Sequence, residues 1–96
     1  MNFSFAKRVS IPADVLVQEL AGEAVLLHLK TEIYYGLGDV ELRMWQVLAA
    51  EPSIQAAYER LLAEHFYDVE PEQLRHDLTA LLEELVAHGL VEITAG

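Results

Sequence analysis

The chain contains no cysteine, which excludes disulfide staples, thiolate metal centres and cysteine nucleophiles. Basic residues are scarce: six lysines and arginines stand against sixteen aspartates and glutamates, a net charge of −10 with histidines neutral. Such a surface repels phosphate backbones, and no basic cluster stands apart from it, so nucleic acid is disfavoured as a partner. The same charge either draws in a partner with a basic patch, over a Debye length of ~8–10 Å, or simply keeps an apolar-rich chain in solution. No run approaches the ~18–20 apolar residues needed to span a bilayer. Residues 1–15 place Lys7 and Arg8 after their apolar residues and have no long apolar stretch, unlike a secretion signal. The expectation is a soluble, cytoplasmic chain with no membrane partner.

Patterns that carry chemistry are missing as well. The pair Gly36-x-Gly38 lacks the rest of any phosphate loop, and Ser4, Ser10 and Ser53 sit in no nucleophile elbow. No two of His28, His65, His76 and His88 share a helical i, i+4 face or a short ligand spacing, so no metal site is expected. Glu83 and Glu84 are neighbours, and neighbours diverge on a helix. Neither a catalytic constellation nor a cofactor site is expected, and the chain reads as a nonenzyme.

What is present is one α+β domain. Ninety-six residues, 53% of them apolar, suffice for a core without staples. Residues 1–14 read as an N-terminal arm, with Phe3 and Phe5 as candidate anchors to the body, and residues 15–96 as the domain. VLVQEL over residues 15–20 suits a strand, Ala21-Gly22-Glu23 a compact turn, and residues 24–30 a returning strand. In that second strand Val25, Leu27 and Leu29 share one face, and Leu26, His28 and Lys30 the other. A third strand, residues 33–37, completes an antiparallel meander, since gaps this short exclude parallel crossovers. Gly36 and Gly38 then permit a sharp turn into a first helix over residues 39–50, with Asp39 as its expected N-cap and Pro52 beyond its end. A second helix starts near Ser53 with Ile54, Ala57, Tyr58, Leu61 and Leu62 on one stripe, and fades at residues 65–68. The third is the clearest: Pro71 suits its first position and Gly89 its C′ position, with Leu74, Leu78, Leu81 and Leu85 on one face. Residues 90–93 form a last short strand or extended tail.

This order suits a winged helix-turn-helix topology. In DNA-binding versions the last helix would be basic, whereas here it carries Glu72, Asp77, Glu83 and Glu84 against Arg75 alone. Leu26-Leu27, Tyr35-Gly36-Leu37, Trp45, Leu48, Val69, Pro71, Leu82, Leu85, Gly89 and Leu90, in this order and spacing, resemble the PqqD-like family. That family is typified by the peptide carrier of pyrroloquinoline quinone biosynthesis. Its domain also occurs as the RiPP recognition element (RRE), which binds leader peptides of ribosomally made, modified natural products. One departure is visible: the family commonly has asparagine after the strand-ending leucine, where this chain has Gly38-Asp39.

The resemblance implies a noncatalytic module on which a leader peptide adds as a strand beside residues 33–37, in a groove walled by helix 71–88. It hands that precursor to a separate leader protease, cyclase or radical enzyme, in lasso-peptide, quinone-cofactor or related pathways. Carried onto this chain, Glu32, Ile33, Tyr34, Tyr35, Gly36 and Leu37 offer the backbone ladder. Leu74, Leu78 and Leu82 line pockets, Arg75 pairs with an acidic leader residue and Asp77 with a basic one. Tyr34 and Tyr35 point to opposite faces, one inward and the other toward the ligand. The broad apolar surface of the last helix either walls that groove or marks a central, buried helix. A different class of reading is a winged-helix domain that self-associates through its edge strand.

Overall fold

A computed structural model describes residues 4–95; Phe3, a candidate anchor, lies outside them. Five strands and three helices follow in the order β1 (Arg8–Ser10), β2 (Val15–Leu20), β3 (Glu23–His28), β4 (Tyr34–Leu37), α1 (Asp39–Ala50), α2 (Ile54–Arg60), α3 (Pro71–Ala87) and β5 (Glu92–Thr94). The meander is antiparallel in the order β2-β3-β4, which puts β4 at an edge. The β2–β3 connection is the two-residue loop Ala21-Gly22, with φ of 55° and 80°. Positive φ at both positions is the pattern of a type I′ turn, whose twist matches that of the strands it joins.

The strand faces follow from the alternation. Ala24, Leu26, His28 and Leu37 are buried against the helices, with Tyr35 partly so. Leu16, Leu20, Val25, Leu29 and Tyr34 remain exposed. Buried His28 is satisfied locally, its Nδ1 accepting the Lys30 and Thr31 N–H groups.

α1 packs on β3 and β4, burying Leu42, Met44, Trp45, Val47 and Leu48. Its N-cap is Gly38 rather than Asp39: the helix starts one residue earlier than an Asp39 cap implies, and Asp39 Oδ1 accepts the Val40 N–H from inside the first turn. A Cβ at Gly38 would meet the Glu41 carboxylate at 2.8 Å, the far end of a side chain that can swing aside. Ser53 caps α2 by accepting the Ala56 N–H. α2 widens into a π-helical turn, Leu61–His65, where the Phe66 N–H reaches back to the Leu61 carbonyl, and the helical run stops at Phe66. α3 ends in a Schellman motif: the Leu90 N–H donates to the Leu85 carbonyl and the Gly89 N–H to that of Val86, with Gly89 at φ 71°.

The N-terminal segment is tied down within residues 5–10. Phe5 is buried, and β1 pairs with β5 in a separate two-stranded sheet, Val9 opposite Ile93. The carbonyls of Lys7 and Phe5 accept the Ile54 and Gln55 N–H groups, donors that α2 cannot satisfy internally. Leu74, Leu78, Leu82 and Leu85 on α3 converge with Leu26, Leu48, Ile54 and Leu61 to fill the core. No helix among the described residues is long and apolar enough to cross a membrane.

Candidate peptide-binding site

The β4 backbone has a used side and an unused side. His28 N–H donates to the Ile33 carbonyl, and Leu26 stands opposite Tyr35 and Ala24 opposite Leu37. Antiparallel ladders alternate, so Tyr35 and Leu37 turn their N–H and C=O groups toward β3. Tyr34 and Gly36 turn theirs to the free edge, and no strand among the described residues pairs with them. Side chains alternate with the same period. Tyr35 points toward the helices, while Tyr34, 70% exposed, points to the outer face with Gly36. A Cβ on Gly36 would meet nothing within 4 Å.

Beside this edge, on the inner face, runs a trough of ≈ 400 Å³ lined by Tyr35 of β4, Val40, Glu41 and Met44 of α1, and Asp77, Ala80, Leu81 and Glu84 of α3. Its floor is apolar: Met44 and Leu81 are themselves buried core residues. Glu41, Asp77 and Glu84 supply its charge. The Tyr35 ring packs tilted against His88, centroids 5.3 Å apart at 55°, and His88 Nδ1 lies 2.8 Å from the Glu84 carbonyl oxygen. Burial, then the charges of Glu84 and Glu41, push the Tyr35 phenol above its ordinary pKa. A larger depression of ≈ 510 Å³ opens where the end of β4 meets the β2–β3 hairpin, around Leu20, Val25, Gly36 and Leu37.

The expected site residues separate into three groups. Tyr34, Tyr35 and Gly36 sit at the edge, and Asp77 lines the trough. Leu37 is buried, and Ile33 and Glu32 precede the strand; Glu32 takes the left-handed conformation (φ 61°) and spends its N–H on the His28 carbonyl. The third group lies away from the trough. Leu74, Leu78 and Leu82 are enclosed in the core, because the leucine stripe is the side of α3 that meets the other helices. Arg75 lies over the Phe5 ring, 4.0 Å from its centre, with Tyr58 at 5.5 Å. Two residues on a helix are ~200° apart, so Arg75 and Asp77 cannot wall the same groove. The wall of α3 is instead the run Asp77, Ala80, Leu81, Glu84, spaced by three or four. That spacing is visible in the sequence, but choosing this flank requires knowing that Phe5 covers the opposite one. The contribution of α1 through Val40, Glu41 and Met44 left no such signal.

A family model described as coenzyme PQQ synthesis protein D (PqqD) matches residues 23–91. The chain belongs to the PqqD family. The match spans β3, β4 and all three helices, the elements that build the trough. A solved structure titled "TbiB1 in Complex with the TbiA(beta) Leader Peptide" is similar over 86% of this chain and 94% of that one, at 30% identity and a TM-score of 0.77. A search of curated proteins gave no match.

Proposed function

We propose that this PqqD-family chain is a noncatalytic recognition element that binds the leader segment of a ribosomally made precursor peptide and presents it to a separate processing enzyme in the cytoplasm. The observation that carries the reading is the unpaired edge of β4 standing beside an apolar trough. The TbiB1 structure, held with a leader peptide, supports it. A guest strand laid antiparallel along β4 exchanges hydrogen bonds with Tyr34 and Gly36, which gives affinity with little demand on sequence. The guest residue opposite Tyr35 falls in a non-hydrogen-bonded pair, and its side chain enters the trough. Guest residues opposite Tyr34 and Gly36 turn outward, over the exposed apolar face of the sheet.

The partner enzyme is a leader protease with a cyclase, as in lasso-peptide pathways, or a radical enzyme, for which the chain would act as a peptide chaperone. A winged-helix domain that self-associates through β4 is the competing reading; it predicts a dimer that no peptide dissociates. Titrating the labelled chain with synthetic TbiA(beta) leader peptide, and with leaders encoded beside its gene, decides between them. Saturable shifts are expected at the amides of residues 34–37 and at the Asp77–Glu84 flank of α3. Shifts confined to other surfaces, or a concentration-dependent dimer unaffected by every leader, would overturn the proposal.

A further inference from the structure

The trough has a polarity that the edge strand alone does not explain. Tyr35, Val40, Met44, Ala80 and Leu81 form an apolar channel, and the three ionisable carboxylates on its lining come from two different helices. No lysine or arginine lines it. Each carboxylate keeps accepting capacity. Asp77 Oδ1 accepts the Gln73 Nε2–H group at 2.8 Å, leaving its second oxygen. Glu84 meets only His88 Nδ1, at 3.8 Å, and Glu41 folds back over Gly38. The raised pKa of Tyr35 is a second sign that the fields of Glu84 and Glu41 converge on this spot. Arg43, the basic residue of α1, belongs instead to a separate depression with Asp39 and Glu64.

Resting on the peptide-binding reading above, we infer that the trough selects a lysine or arginine at the guest position opposite Tyr35. The long aliphatic stem of such a side chain covers Met44 and Leu81, and its cationic head reaches the rim carboxylates. Long basic residues suit this division, since their stems lie on apolar surface while the charge stays near water. A purely apolar anchor would fill the floor and leave three carboxylates crowded without a counter-charge. A guest carboxylate would be repelled.

The test uses the full chain and a random dodecapeptide display library, followed by synthesis of an enriched peptide. The expected result is enrichment of lysine or arginine at one fixed position. Replacing that residue by norleucine, which keeps the stem and removes the charge, is expected to weaken binding about tenfold, of the order that a few partly screened ion pairs supply. In the E41Q/D77N/E84Q variant the lysine-to-norleucine ratio is expected to fall to near one. Peptides that lose binding in Gly36→Pro yet show no basic preference, or an unchanged norleucine affinity in the native chain, would overturn this inference and leave the strand-addition reading standing. Enriched peptides that bind Gly36→Pro as well as the native chain would remove both.

Discussion

The guanidinium of Arg75 lies 4.0 Å from the centre of the Phe5 ring, on the opposite side of α3 from Asp77. This contact clamps the N-terminal segment to the last helix and holds Arg75 on the flank away from the trough. Cation–π contacts at exposed sites contribute about 0.5–1 kcal/mol, and the arginine stem adds packing. Arg75→Ala is therefore expected to cost about 1 kcal/mol, a loss of roughly 4–8 °C in Tm for a domain of this size. Leader affinity should stay within twofold. A melt paired with a peptide titration checks both, and a large affinity loss without a stability change would contradict this placement.

Prolines along β4 should act by parity. Gly36 offers its N–H to the free edge, its φ is not in the left-handed region, and the space around its missing Cβ is open. Gly36→Pro should fold and yet lose leader binding, since edge positions tolerate proline while the guest loses a donor. Tyr35→Pro removes a bond to β3 instead and should lower Tm sharply. Circular dichroism melts with titrations of both variants compare them. The swapped result, a stable Tyr35→Pro that has lost binding and an unstable Gly36→Pro, would mean that the ladder alternates the other way.

Much of the frame was readable from local chemistry: the bounds of β2, of α1, and of α3 from Pro71 to its Gly89 cap all follow from breakers, caps and periodicity. The site was half readable. An edge strand beside the last helix is an outcome of element order, but which flank of that helix stays open is decided by tertiary contacts. Phe5 and Tyr58 cover the Arg75 side, and nothing local to α3 announces this. The leucines Leu74, Leu78 and Leu82 carried two meanings, groove wall or core, that hydrophobicity alone does not separate. The pairing of β1 with β5 joins residues more than eighty positions apart, beyond any local signal.

Leu82 and Ala80 lie two residues apart and should respond in opposite ways. Leu82 has no exposed surface, so Leu82→Asp buries an unpaired charge and is expected to unfold the domain, while Leu82→Ala should cost about 2–5 kcal/mol. Ala80 is exposed on the trough wall. Ala80→Glu should leave stability within about 0.5 kcal/mol of native, because glutamate is a good helix former, and should abolish leader binding by filling the channel. Denaturant melts and peptide titration separate the two. A folded Leu82→Asp that has lost binding would return Leu82 to the groove.

The turn between β2 and β3 stores strain at one residue. Ala21 holds φ 55°, a region where a Cβ costs about 1 kcal/mol, directly before Gly22 at 80°. Asparagine tolerates this conformation, and Asn-Gly is the favoured type I′ pair. Ala21→Asn is expected to stabilise the domain by about 0.5–1 kcal/mol. The turn lies at the far end of the hairpin from Tyr34, so leader affinity should not change. Urea midpoints measured at constant m-value check it; no gain would show that the strain is relaxed elsewhere in the turn.

Tyr35 links the trough to alkaline stability. Its phenol is shifted above the ordinary value of 10.0 by burial first and by Glu84 and Glu41 next. Its folded state therefore holds a proton that the unfolded chain releases as pH passes 10. The unfolded state binds fewer protons there, so stability falls with rising pH through that window, and below it the stabilising contribution is complete. Tyr35→Phe removes the titrating group and should flatten the alkaline limb. Between pH 7 and 9 the difference in Tm between native and Y35F chains should be constant; above pH 10 the native chain should lose Tm faster. E84Q should give an intermediate profile by removing one of the two charges that raise the pKa. Parallel profiles for native and Y35F up to pH 11 would show that Tyr35 does not sense the acidic rim of the trough.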